Sequence, residues 1–294
     1  MPSVIALENV VKNFGSTRAL DGLSLQVAEG QSHGLLGPNG AGKTTSLRIL
    51  LGLAAVDSGT VSVLGADPWK DTAQVHSRLA YVPGDVVLWP NLSGGEFIDA
   101  IGRMRSGFNI ERRNDLVEAF ELQPKTKIRA YSKGNRQKLT LIAALACDVD
   151  LYLFDEPTDG LDPIMAEVFR QQVHHLTALG RSVLLSSHVL AEVEAVCDQV
   201  SIIRTGRLVE SGSLSQMRHL SRTQLIVTLQ DMAPDLPGMH DVQRDGHVLK
   251  AAVDAPSIPD IMGSLVSYGI EAIEVRTPTL EEMFLQHYRD DDGS

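Results

Sequence analysis

The run Gly37-Pro38-Asn39-Gly40-Ala41-Gly42-Lys43-Thr44 fits the spacing G-x-x-x-x-G-K-[ST], the pattern of a loop that wraps phosphates. Its glycines let backbone N–H groups converge on an anion with no Cβ in the way. A helix starting at Lys43 would aim its positive dipole end at the same anion. Lys43 adds a full charge near β- and γ-phosphates, the Thr44 hydroxyl suits Mg²⁺, and Thr45 can donate to an α-phosphate oxygen.

Phosphate chemistry of this kind also needs a carboxylate at the end of a neighbouring buried strand. Leu151-Tyr152-Leu153-Phe154-Asp155 supplies one. Asp155 would hold Mg²⁺, through water, since that ion keeps part of its hydration shell. Glu156 is placed to polarise an attacking water. Taken alone, the two acids also read as the end of a strand; beside a phosphate loop the catalytic reading is favoured. His188, after Ser186-Ser187, has two readings of equal weight. It is either an ordinary residue at a helix start or a group at the carboxyl end of a parallel strand, where α/β folds bind ligands. Asp162 before Pro163 reads as a helix cap.

The elements that must hold these groups alternate. Val4–Val11, Leu23–Val27, Gln31–Gly37, Leu151–Asp155 and Ser182–Ser187 read as strands. Stripes at helical spacing follow at Leu47, Leu50, Leu51 and Ala54, at Leu139, Ile142, Ala143 and Ala146, at Phe169, Val173 and Leu176, and at Leu190, Val193 and Cys197. This is an α/β pattern with a mainly parallel sheet and a helical region over about 85–146. Near residue 221 the texture changes. Thr223–Leu229 and Val248–Val253 read as strands flanking the Pro-, Gly- and Asp-rich stretch Asp231–Gly246, followed by a helix over Ile258–Tyr268, a strand Ile270–Val275 and a helix Leu280–Tyr288. The division expected is a core over 1–220, a small α+β appendage over 221–288 and a disordered tail over 289–294.

Composition bounds the rest. The chain has 294 residues, 43 % hydrophobic and 21 % charged, enough apolar material for a core. The net charge of −11 argues against nucleic acid as principal partner. Cys147 and Cys197 form neither a disulfide framework nor a CxxC pair, which fits a reducing compartment. No secretory signal and no apolar run long enough to span a bilayer is visible, so the expected place is the cytosol unless something holds the chain at a membrane.

Taken in order over about residues 4–219, these residues resemble the nucleotide-binding subunit of ATP-binding cassette (ABC) transporters. The resemblance implies a P-loop NTPase core, ATP and Mg²⁺, and roles residue by residue. Phe14 falls where the family stacks an aromatic on adenine, and Gly37 to Thr45 is the Walker A loop. Asp155 and Glu156 resemble the Walker B acid and the catalytic base, Gly160-Leu161-Asp162 the D-loop, and His188 the switch histidine. The signature motif is Ser132-Lys133-Gly134-Asn135-Arg136-Gln137, opening a helix over 135–146; its Ser and Gly would donate to the γ-phosphate held by a second copy of the chain. Leu92-Ser93-Gly94-Gly95-Glu96 spells the family's commonest signature, yet it lies 63 residues before Asp155, whereas 132–137 lies 23 before it, the usual separation. Ser93 and Glu96 fit a helix capping box instead.

One departure stands out. The family's glutamine after Tyr-x-Pro is absent from Tyr81-Val82-Pro83-Gly84-Asp85. Either Asp85 takes over as a hard-oxygen metal ligand or the loop is a coupling hinge alone. The Ser-Lys-Gly signature, the Pro-Gly-Asp loop, the appendage and the closing Pro278-Thr279-Leu280-Glu281-Glu282-Met283-Phe284 are similar to bacterial drug and antibiotic exporters whose permease is a separate chain. The resemblance therefore implies an ATPase that dimerises, sits peripherally at the cytoplasmic face of the cell membrane and powers efflux. The alternatives are an importer ATPase and a soluble cassette ATPase unconnected with transport. Leu88-Trp89-Pro90 is the candidate permease contact, with ordinary core packing as the other reading of Trp89.

Overall fold

Strands covered on both faces are apolar over most of their length, and Ser32–Leu36 (β3), Leu151–Asp155 (β6) and Ser182–Ser187 (β7) are buried at every residue. The computed structural model describes residues 3–105, 107–214, 223–232 and 234–276. Contacts divide the chain into two compact units, one over Met1–Gly212 and one beginning at Ser213.

In the first unit, β3, β6 and β7 pair in parallel with Leu79–Val82 (β5) and Gln199–Arg204 (β8). Arg207–Ser213 (β9) completes a six-stranded sheet of order β5-β6-β7-β3-β8-β9. The order puts β3 next to β7 and β7 next to β6, so the loops after these three strands open side by side at the carboxyl ends of the parallel strands, where α/β folds bind ligands. The neighbouring strands β8 and β9 were not anticipated. Nor was a separate antiparallel sheet, of order β2-β1-β4, built from Ser3–Phe14 (β1), Thr17–Ala28 (β2) and Ser58–Val63 (β4). Polar residues such as Asn9, Lys12 and Asp21 interrupt its alternation, and register shifts along β1 absorb them.

Helix α1 (Lys43–Leu50) packs Leu47, Ile49 and Leu50 into the core shared by both sheets. It ends earlier than the stripe to Ala54 suggested. The amides of Gly52 and Leu53 turn back onto the carbonyls of Ile49 and Arg48 at 2.9 and 2.8 Å, and that closes the helix. After a short helix α2 (Thr72–Ser77), the expected helical region resolves into α3 (Gly94–Arg103), α4 (Ile110–Ala119) and α5 (Lys133–Leu145). Helix begins only at Gly94, because Ser93 caps it. The Ser93 hydroxyl accepts from Glu96 N at 3.2 Å, and Glu96 Oε2 accepts from Ser93 N at 2.6 Å. Those bonds, with Lys127 beside the carboxylate, hold Glu96 down to about 2. The capping-box reading of 92–96 is therefore the observed one. Helix α6 (Pro163–Ala178) and helix α7 (Leu190–Val196) flank β7 in the chain. Cys197 lies just past α7, buried, with its thiol pushed up by burial.

The second unit is a four-stranded antiparallel sheet of order β11-β12-β10-β13, from Thr223–Leu229 (β10), Met239–Asp245 (β11), Val248–Val253 (β12) and Ile270–Arg276 (β13). Helix α8 (Ile258–Leu265) buries Ile261 and Leu265 against Leu225, Val227, Leu249 and Val253. The stretch Asp231–Gly246, read as loop, contains β11. This edge strand, with an exposed Asp241, Gln243, Arg244 and Asp245, has no apolar alternation to betray it. The expected helix Leu280–Tyr288, the motif at 278–284 and the tail at 289–294 lie outside the described residues. No helix among the described residues is long and apolar enough to cross a membrane.

Candidate active site

The glycine-rich turn leaves β3 at Gly37 and enters α1 at Lys43, with Gly42 at φ +110° as the N-cap. A side chain on Gly42 would strike Leu20 and the Ala19 carbonyl of β2 at 2.7 and 2.9 Å, so the residue type fixes how closely the loop lies on the antiparallel sheet. The first amides of α1 have no acceptor within the helix and are available to an anion.

Lys43 is buried. Its ammonium donates to Gly37 O at 2.6 Å and Pro38 O at 3.3 Å, and lies 3.3 Å from Glu156 Oε1. The second oxygen of Glu156 lies 2.9 Å from His188 Nδ1 and accepts from His188 N at 3.3 Å. The three side chains thus form one chain, lysine to carboxylate to imidazole, across the ends of β3, β6 and β7. Glu156 itself has φ +47° and is pinned there by its amide, which donates to Ser186 O at 3.0 Å. Left-handed backbone at a non-glycine residue is strained and concentrates at functional sites.

Beside this chain the Thr44 hydroxyl donates to Asp155 at 3.1 Å, and Ser186 Oγ donates to the same carboxylate at 2.5 Å. A buried carboxylate and a hydroxyl at adjacent strand and helix ends are the hard-oxygen donors that Mg²⁺ accepts while retaining waters, so these residues fit that ion. Tyr81 lies near enough that burial and the Asp155 charge push its phenol up to about 12.

The other candidates lie around this centre in the sequence. The segment Ser132–Gln137 lies against the turn that follows Glu156. Ser132 caps α5, accepting from Asn135 N at 3.2 Å. Lys133 pairs with Asp159 at 2.6 Å, and buried Gln137 donates from Nε2 to Pro157 O at 3.0 Å. A Cβ on Gly134 would come within 2.5 Å of Gly160 O. Asn135 and Arg136 complete the first turn, half-buried. Asp162 caps α6, accepting from Met165 N at 3.0 Å. Phe14 stands half-exposed at the tip of the β1–β2 hairpin. Pro38, Asn39, Gly40, Ala41 and Thr45 sit on the loop and the first turn of α1. Asp85 is exposed and makes no hydrogen bond or ion pair with the described residues; it is Gly84 that lies against Asp155, where a Cβ would meet the backbone and carboxylate oxygens at 3.3 and 3.7 Å.

Three participants escaped the sequence reading: Ser186, Asp159 and Ser187, whose hydroxyl donates to Glu192 at 2.8 Å. For the two serines the available signal was their place at the end of a buried strand, after the apolar Val183, Leu184 and Leu185, since buried hydroxyls need partners.

The family model described as ABC transporter matches residues 20–159. The chain is 33 % identical to the daunorubicin resistance ATP-binding protein DrrA3 of Streptomyces coeruleorubidus, covering 98 % of this chain and 97 % of that one. It is 30 % identical to the uncharacterized ABC transporter ATP-binding protein YhcH of Bacillus subtilis over 97 % and 96 % of the two chains. Among solved structures, an ATP binding subunit of an ABC transporter aligns with TM-score 0.68 at 27 % identity, covering 73 % of this chain and 92 % of that one. A bacterial Atm1-family ABC exporter with ATP bound aligns at 0.65 and 26 %, covering 74 % of this chain and 40 % of the other.

Proposed function

The chain belongs to the ABC transporter ATP-binding proteins and is an ATPase, and from that premise we propose that two copies close around MgATP and power a separate membrane permease for drug or antibiotic efflux. The observation that carries the catalytic reading is the chain Lys43–Glu156–His188 beside Thr44–Asp155. Thr44 and Asp155 would hold Mg²⁺, which supplies charge neutralisation on the phosphate oxygens. The triphosphate, carrying more charge than one carboxylate, takes over the Lys43 ammonium. The Glu156 oxygen so released then accepts a proton from water. That water's oxygen bonds to the γ-phosphorus, and the bond to the β–γ bridging oxygen breaks with ADP leaving. His188 keeps the carboxylate oriented and meets the γ-phosphate. Phe14 stacks on adenine. Ser132 and Gly134 face the nucleotide of the second copy, and Asp162 caps α6 after the turn that follows Glu156.

The permease partner is supported by an apolar groove of about 380 Å³ in the first unit, lined by Tyr81, Val86, Val87, Leu88, Phe97 and Met104. Val87 and Met104 are exposed there, and Trp89 packs on Phe97 at 5.8 Å while half-exposed. Exposed apolar surface of this kind marks a contact site. The efflux reading rests on the full-length similarity to resistance proteins, and it sets the chain at the cytoplasmic face of the membrane. We assign residues 1–220 to the cassette and 221–288 to an accessory domain. Light scattering of Glu156→Gln with MgATP tests the assembly: a dimer with nucleotide and a monomer without it is expected, and a monomer throughout overturns it. Val87→Asp should lose the permease on co-purification from membranes while retaining ATP hydrolysis.

A further inference from the structure

Asp57 precedes β4 and is none of the groups assigned above, yet its carboxylate gathers the end of the β1 strand. It accepts from Asn13 N at 2.6 Å, from Asn13 Nδ2 at 2.8 Å and from Lys12 Nζ at 3.3 Å. Its own amide donates to Val11 O at 2.9 Å. Four bonds thus tie one residue to three consecutive positions of β1, the last of them adjacent to Phe14. Lys12, so held, stands 5.3 Å from the centroid of the Phe14 ring, within the range of cation–π attraction. One side of the ring is therefore covered by a cation whose charge Asp57 balances, while half of the residue stays exposed to solvent.

The register places this assembly beside the phosphate loop. Lys12 pairs across the hairpin with Leu20, the same Leu20 against which Gly42 is packed. Phe14 is two residues further along β1, ~7 Å at the rise of an extended strand, a distance on the scale of a nucleoside. The donation from Asn13 and Lys12 holds the Asp57 carboxyl below the usual carboxylate range, so the tie persists at neutral pH.

We propose that Asp57 is a positioning residue for nucleotide recognition: it fixes Lys12 and Asn13 so that Phe14 presents its uncovered face to the adenine. This rests on the reading of Phe14 as the adenine platform. The bonds of the Asp57 carboxylate run to Lys12 and Asn13 and not to Lys43, Thr44, Asp155, Glu156 or His188, so its loss weakens capture of the base and leaves the chemistry at Lys43 and Glu156 intact.

The test is steady-state hydrolysis by the full chain with ATP, GTP and inorganic tripolyphosphate, for wild type, Asp57→Asn and Phe14→Ala. Asp57→Asn should raise KM for ATP about tenfold, the scale of one charged hydrogen bond, with kcat unchanged. It should leave the tripolyphosphate KM unaltered and shrink the ATP-over-GTP preference. A merely structural role would lower kcat for all three substrates together, and that result overturns the proposal. An elevated KM in Phe14→Ala with a normal KM in Asp57→Asn also overturns it, while leaving Phe14 as the platform. A normal KM in Phe14→Ala overturns the platform reading and the proposal with it. If Asp57→Asn does not fold, Lys12→Met decides instead, since it removes the cation that Asp57 holds by the Phe14 ring: a raised KM for ATP alone supports the tie, and an unchanged KM overturns it.

Discussion

Glu156 and His188 meet at 2.9 Å, Oε2 to Nδ1, on the loops that follow two adjacent parallel strands. The other oxygen of the same carboxylate faces Lys43. A base held between an ammonium and an imidazole has both lone-pair sets committed, and its backbone is strained at φ +47°, so small changes of side chain should affect its chemistry far more than its binding.

Glu156→Gln keeps size and hydrogen-bonding reach but removes the proton acceptor. ATP affinity by calorimetry should remain within about threefold of wild type, while phosphate release falls by ~10²-fold or more, the lower range for loss of a general base. Near-normal phosphate release would remove Glu156 from the role of base.

Lys43→Ala deletes the ammonium that links the loop carbonyls to Glu156. Charge-assisted contacts to the triphosphate go with it, so ATP affinity should drop about 10- to 100-fold, corresponding to ~1.5–3 kcal/mol. Thermal unfolding followed in parallel separates this from a fold defect. An unchanged dissociation constant in a folded variant would refute the phosphate contact.

How far the sequence announced all this depends on the kind of signal each feature leaves. The phosphate loop was legible because its function needs glycines at fixed offsets between a strand and a helix, and the acids because they end an apolar strand. Ser186, Asp159 and Asp57 were not, since they act through polar bonds to residues 31, 26 and 44 positions away, and such bonds impose no period. The antiparallel sheet was half-visible: bulges at β1 break the alternation by which a strand is read. Edge strands β9 and β11 carry too little apolar residue to stand out from loops.

The two signature-like segments make opposite predictions. Gly94 is a poor site for the test, because any Cβ there collides with the Tyr131 hydroxyl; the caps are better. Ser93→Ala removes half of the capping box and should cost ~0.5–2 kcal/mol of stability with hydrolysis per folded molecule unchanged. Ser132→Ala removes a cap of similar worth, but hydrolysis should also fall by about 10-fold or more, since a donor to phosphate is lost. Denaturant titration together with turnover distinguishes them. Loss of turnover in Ser93→Ala at normal stability would mean that the signature is at 92–96.

His33 predicts an acid sensitivity that has nothing to do with catalysis. It is the second residue of β3, its Nε2 2.8 Å from Ser201 Oγ, its Nδ1 without a partner among the described residues, and burial lowers it to about 4. The folded protein thus holds the neutral ring, whereas the unfolded chain takes up a proton near the ordinary value of 6.5. Stability from this residue is complete above pH 6.5 and falls as pH drops toward 4, by ~2 kcal/mol at pH 5 and ~3 kcal/mol at pH 4. His33→Gln keeps a polar atom near Ser201 and does not titrate. Urea unfolding between pH 7 and 4 should therefore show wild type losing stability relative to this variant by about those amounts. Parallel curves for the two proteins would mean that the ring titrates freely within the fold and that β3 opens to water.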